Sequence, residues 1–128
     1  MNEMNKKICF TKSSAESFCI DGGTKGLIYP DHPKGQYTIA RINMNGVYPV
    51  IGYSINTKCT ETIVMLKGEI KIRVDDKVCE LKSGDILIIL PKTKYRIEGQ
   101  GEVLDLITPR WDKKQNKIIL DSTFTIKI

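Results

Sequence analysis

The sequence predicts an all-β fold in a single domain, and three observations carry that expectation. Short apolar runs alternate with turn signals about every eight to twelve residues along the chain. The runs are crowded with Val, Ile, Tyr, Phe and Thr, the residues that suit a pleated surface. Nowhere does a stretch of about twelve residues carry the 3.6-residue periodicity of an amphipathic helix. Together these point to a sandwich or a barrel.

The elements follow in order. "KICF", "SFCI" and "GLIY" read as short strands separated by "TKSSAES", "DGGTKG" and "PDHPKGQ". "YTIARINM", "NGVYPV", "IGYSI" and "ETIVML" come next, and "EIKIRV" is marked off by "KG" and by the Asp75-Asp76 turn. Within it Ile70, Ile72 and Val74 alternate with polar residues and share one face. "VCEL" precedes "KSGD", and "ILIIL" reads as a strand buried on both faces that ends at Pro91, which cannot donate to a ladder. "KYRIEG", "EVLDLIT", "KIILD" and "FTIKI" complete the set. Tight turns are expected at Gly68, at Gly84-Asp85 and at Gly99 to Gly101. Residues 1–35, richer in Ser, Gly and Pro, read as an N-terminal arm of the same domain, and residues 36–128 as its body.

Composition narrows the function classes. The 128 residues fit one hydrophobic core, and 41% apolar with 27% charged residues suits a globular protein with a solvated surface. The net charge of +5 is spread, with acids between the lysines. The densest basic run, "RWDKKQNK", reads as a solvated face, so no nucleic-acid partner is expected. The N-terminus has two lysines but too short an apolar run for a signal peptide, and no stretch reaches a membrane span. A cytoplasmic protein with no membrane partner is expected. Its four cysteines, Cys9, Cys19, Cys59 and Cys79, have no CxxC spacing and are expected as free thiols.

Two motifs are specific. In "GYSINTKCTETIVMLKG", Glu61 is followed after six residues by Gly68, with Gly52 upstream. In "SGDILIILPKTKYRI", Gly84-Asp85 opens a strand that a proline turn closes, followed by Tyr95. In this order and at this separation they resemble the two motifs of the cupins, the small RmlC-like jelly-roll barrels built as a double-stranded β-helix. The resemblance runs from Gly52 to about Trp111. It implies that fold, and it implies a pocket in the barrel at the positions where cupins commonly hold a metal by three histidines and a carboxylate. Here Ser54, Asn56 and Tyr95 stand at the three histidine positions, and only Glu61 remains. Imidazole gives such sites their affinity for Fe, Mn, Zn, Ni or Cu, so no metal and no other cofactor is expected. "NGVYP", then Asn56, Cys59 and Glu61, then "KYRIEG" and "TPRW" are similar to a group of bacterial cupins with tyrosine in place of histidine.

The resemblance implies a ligand set of Ser54, Asn56, Cys59, Glu61 and Tyr95. Each has an alternative reading. Glu61 is a ligand contact or acid/base group, or a carboxylate paired inside the strands. Tyr95 offers its phenol to a ligand or fills the barrel. Asn56 can be a turn amide, and Cys59 a small buried hydrophobe. His32, in "YPDHPKG", reads as an exposed loop histidine. Tyr48, Tyr53 and Trp111 line the mouth or pack elsewhere. Three functions stay open: metal-independent binding of a small, possibly sugar-like molecule of unknown identity; a sugar isomerase or epimerase with Glu61 and Tyr95 as acid and base; and a filled barrel serving structure or interaction. A lumen filled by Ile63, Met65 and Leu106 would select the last. A homodimer is expected from the strand-rich arm and the apolar "FTIKI".

Overall fold

The computed structural model describes residues 9–20 and 23–120. They form nine strands: β1 (Glu16–Ile20), β2 (Thr24–Ile28), β3 (Thr38–Tyr48), β4 (Tyr53–Asn56), β5 (Thr60–Val74), β6 (Lys77–Lys82), β7 (Ile86–Ile89), β8 (Lys94–Thr108) and β9 (Asn116–Ile119). Single 3-10 turns lie at Lys12–Ser14 and Lys113–Gln115. The expected strand "FTIKI" falls outside the described residues, as does the first half of "KICF".

All pairings are antiparallel and build one continuous sheet. Its centre is β8, flanked along most of its length by β3 and β5. β5 carries β7 on the first half of its other edge and β6 on the second. β4 joins the start of β8 and brings β9 with it. The β1–β2 hairpin extends the sheet beyond β3. The sheet curls so that one face encloses Met44, Ile63, Met65, Ile70, Ile72, Leu81, Ile89, Tyr95, Ile97 and Val103. Ile70 and Ile72 are buried here, as the alternation in "IKIRV" requires.

Two expectations are corrected. Gly68 and the Gly99 to Gly101 stretch are not turns; they lie inside β5 and β8, paired with one another. Gly68 has φ +86°, and a Cβ on it would come within 2.5 Å of the Gln100 carbonyl oxygen. The glycine is needed because two long strands bend past each other beside a register shift at Met65–Lys67. "ILIIL" is not buried on both faces. Among the described residues β7 pairs only with β5, and Ile86, Ile88 and Leu90 are 58%, 54% and 61% exposed. Leu106 does not fill the lumen, because β8 turns Val103, Asp105 and Ile107 inward and leaves Leu104 and Leu106 half-buried on the other face.

Candidate functional site

The curled sheet surrounds a cavity of about 450 Å³. Ile28, Ile42, Ile63, Ile70, Ile97 and Val103 give it an apolar wall. Its buried polar groups are Glu61, Tyr95 and Asp105, with Tyr48 beside them. Thr24, Trp111, Lys113 and Asn116 also line it.

Period-two geometry builds this polar end. Glu61 shares the inward face of β5 with Ile63 and Met65, and Asp105 shares that of β8 with Val103 and Ile107. In the β5–β8 register Glu61 lies opposite Ile107 and Asp105 opposite Ile63, so the two carboxyl groups are diagonal neighbours. They are 5% and 3% exposed and share a hydrogen bond. Tyr95, at the start of β8, donates its hydroxyl to Glu61 Oε2 at 2.6 Å, and Asn56 Nδ2 donates to the same oxygen at 2.6 Å.

The orientation of Asn56 is fixed from behind. Its Oδ1 accepts from Gln115 Nε2 at 2.8 Å and from Asn116 Nδ2 at 3.0 Å, which leaves its amide N–H groups to face Glu61. Gln115 in turn accepts from the backbone N–H groups of Lys58 and Cys59. Ser54 Oγ accepts from Asn116 Nδ2 at 2.9 Å and from the Tyr48 hydroxyl at 3.4 Å. Glu61 therefore sits with its Oε2 accepting two hydrogen bonds, the arrangement of a carboxylate.

Asp105 is in the opposite condition. Burial, and then the negative charge of Glu61, push its carboxyl well above the usual range, which favours its protonated form. Among the described residues its Oδ1 has no hydrogen-bond partner. Burial, followed by the same Glu61 charge, raises the Tyr95 phenol well above its ordinary value, and a hydrogen bond from Ser54 offsets part of this. Burial also raises Tyr48, against a lowering contribution from Ser54.

The structure brings Ser54, Asn56, Glu61 and Tyr95 into one network. Glu61 and Tyr95 line the cavity, whereas Ser54 and Asn56 support them from behind. Cys59 is fully buried and does not line the cavity, its Sγ 3.6 and 3.8 Å from the carbonyl oxygens of Pro109 and Arg110, and burial raises its thiol. Tyr48 and Trp111 line the cavity, and Tyr53 is buried beneath the Lys94 ammonium. His32 is half-buried rather than exposed. It packs edge-on against Tyr37 and borders a separate groove of about 690 Å³ with Tyr29, Ile39, Arg41, Leu66 and Leu104. Sequence reasoning missed Asp105 and Gln115. The one signal for Asp105 was a lone acid among the apolar residues of "EVLDLIT".

A metal centre is tested by the donor set. Among the described residues no three His, Cys, Asp or Glu side chains converge. Glu61 and Asp105 are two carboxyl groups already hydrogen-bonded to each other, and neither Cys59 nor His32 lines the cavity. These residues do not fit a transition-metal centre of the cupin type.

The fold is that of the cupins: an all-β, curled jelly-roll barrel with a few polar residues turned into an otherwise apolar lumen. Among solved structures, the nucleoside dehydratase Pac13 superposes with a TM-score of 0.80 at 14% identity, covering 92% of this chain and 97% of that one. Variants of Pac13 from Streptomyces, solved with uridine, superpose equally well. KdgF from Halomonas matches with a TM-score of 0.68 at 16% identity, over 85% of this chain and 99% of that one. An RmlC-like cupin from Shewanella frigidimarina matches with a TM-score of 0.66 at 18% identity, over 81% and 92%. No family model and no curated protein matches the sequence. Among the described residues no helix is long and apolar enough to cross a membrane.

Proposed function

We propose that this protein is a metal-independent, small-molecule-binding cupin whose ligand enters the lumen and meets the Glu61–Asp105 pair. The observation that carries the reading is the unpartnered Oδ1 of Asp105, buried at the wall of a cavity of about 450 Å³. A buried oxygen without a partner is costly, and a ligand donor in the lumen relieves it. An apolar cavity with a few convergent polar groups is the usual form of a ligand site. A filled barrel has neither feature.

A second reading is an enzyme of the isomerase, epimerase or dehydratase kind. The shared proton favours it. Asp105 holds a proton, Glu61 can take one, and the Tyr95 and Tyr48 phenols stand beside them, which is the equipment of acid–base chemistry. The nucleoside dehydratase among the structural neighbours, solved with uridine, supports trying nucleosides as well as sugars.

A thermal-shift screen of sugars, nucleosides, nucleotide-sugars, small acids and metal ions tests the first reading. Stabilisation by a small organic molecule, lost in Asp105→Leu, is expected. A protein that responds only to a transition metal overturns it. Product formation from that molecule, abolished by Asp105→Asn, would establish the second.

A further inference from the structure

The hydrogen-bond polarity of the lumen specifies more than its shape, given the small-molecule reading above. We propose that the group bound at the Glu61–Asp105 end is an uncharged hydroxyl on a largely apolar or flat body, and that carboxylates and phosphates are excluded from that end.

The argument is a count of donors and acceptors. The Tyr95 hydroxyl and one N–H of the Asn56 amide donate to Glu61 Oε2, and Asn56 does not line the cavity. Asn116 Nδ2 is used by Ser54, Asn56 and the Ile55 carbonyl oxygen. The Thr24 hydroxyl donates to the Met44 sulfur at 3.3 Å. Asp105 shares its hydrogen bond with Glu61. Among the described residues that line the cavity, what remains unsatisfied is an acceptor, the buried Oδ1 of Asp105. The ligand must therefore donate.

One donor is loosely held. The Tyr48 hydroxyl stands 3.4 Å from Ser54 Oγ, a long hydrogen bond, and it borders the same cavity. A ligand hydroxyl can donate to Asp105 and accept from Tyr48. An ammonium can only donate and leaves Tyr48 unanswered.

Charge excludes anions. The pair carries the negative charge of Glu61, and among the described residues Lys113 is the one Lys or Arg that lines the cavity. The guanidinium of Arg96 is turned to the carbonyl oxygens of Pro49, Val50 and Gly52. Lys113 lines the cavity but is exposed to solvent. A carboxylate entering here would meet like charge in a low-dielectric site. The remaining wall is largely apolar, with isoleucines, Val103, Phe18 and Met44, which suits an apolar body.

The test uses three probes with one body: benzyl alcohol, benzylamine and benzoate at pH 7. The readout is the ε-methyl NMR signal of Met44, which lines the lumen. Benzyl alcohol is expected to shift this signal saturably, with benzoate at least about tenfold weaker. Asp105→Asn, which retains a carbonyl oxygen, should keep the response, and Asp105→Leu should lose it. Benzoate binding as tightly as the alcohol overturns the charge argument. Benzylamine binding more tightly overturns the hydroxyl in favour of ion pairing. If none of the three moves Met44 while a member of the wider screen does, this inference fails and the binding reading stands. If nothing in either set moves it, both fail.

Discussion

Asp105 and Glu61 reach the lumen from neighbouring strands, diagonal across the β5–β8 pairing, and divide one proton between two buried carboxyl groups. Glu61 has donors from Tyr95 and Asn56, whereas among the described residues Asp105 Oδ1 has none. That asymmetry assigns the proton to Asp105 and the charge to Glu61, and the predictions rest on it.

The first prediction concerns pH. Asp105 is raised in the fold, so above the ordinary aspartate value of about 3.9 the native state binds more protons than the unfolded chain. Stability attributable to this group is therefore full below about pH 4. It falls as pH rises from there toward the raised folded value, with a slope of up to about 1.4 kcal/mol per pH unit. Asp105→Asn removes the titration and keeps the shape. Urea unfolding from pH 4 to 8 should show the variant gaining on the wild type as pH increases. A constant difference would contradict it.

Glu61 should discriminate sharply between replacements. Glu61→Gln keeps an oxygen to accept from Tyr95 and Asn56 and should cost about 1 kcal/mol. Glu61→Leu strands both donors and should cost on the order of 3 kcal/mol. Tyr95→Phe, which removes one donor, should fall near 1 kcal/mol. Chemical denaturation midpoints measure all three, and equal losses for the Gln and Leu replacements would count against the network.

Metal content is a third expectation. Protein purified without a polyhistidine tag should carry no stoichiometric Zn, Fe, Mn, Ni or Cu by elemental analysis, because Ser54, Asn56 and Tyr95 occupy the three imidazole positions. About one ion per chain, lost in Glu61→Ala and kept in His32→Ala, would refute it.

A second copy of the chain is the expected partner. β7 exposes Ile86 and Ile88 at an edge of the sheet, and the β5 and β8 residues across from them, Val64, Leu104 and Leu106, continue an apolar outer face toward Ile39. Light scattering at tens of micromolar (roughly where a standard interface of about 800 Å² per partner holds) should report a dimer. Ile88→Lys should shift it to monomer without unfolding. A wild-type monomer is the contrary result.

The sequence made the fold legible because strand length, alternation and the two motifs agree. What it hid has physical causes. β8 is apolar on both faces, with Leu104 and Leu106 outside and Val103 and Ile107 inside, so alternation could not tell which way Asp105 turns. Gly68 and Gly99 looked like turns because left-handed backbone favours glycine in both settings, and only the pairing of β5 with β8 reveals a bend within strands. "ILIIL" looked buried because an apolar strand at a sheet edge has the same composition as a central one. Glu61, Tyr95, Asn56 and Ser54 were legible from motif spacing. Gln115, 59 residues downstream of Asn56, was not, since nothing local marks a glutamine that holds an amide from behind.

The most direct test of the shared proton is a carboxyl carbon-13 NMR titration of the wild type and of Glu61→Gln. The account predicts that the Asp105 carboxyl in the wild type stays protonated well above the usual aspartate range. It should move back toward that range once the Glu61→Gln substitution removes the neighbouring charge, burial alone sustaining what remains. An Asp105 that titrates near the ordinary aspartate value of about 3.9 in both proteins would contradict it.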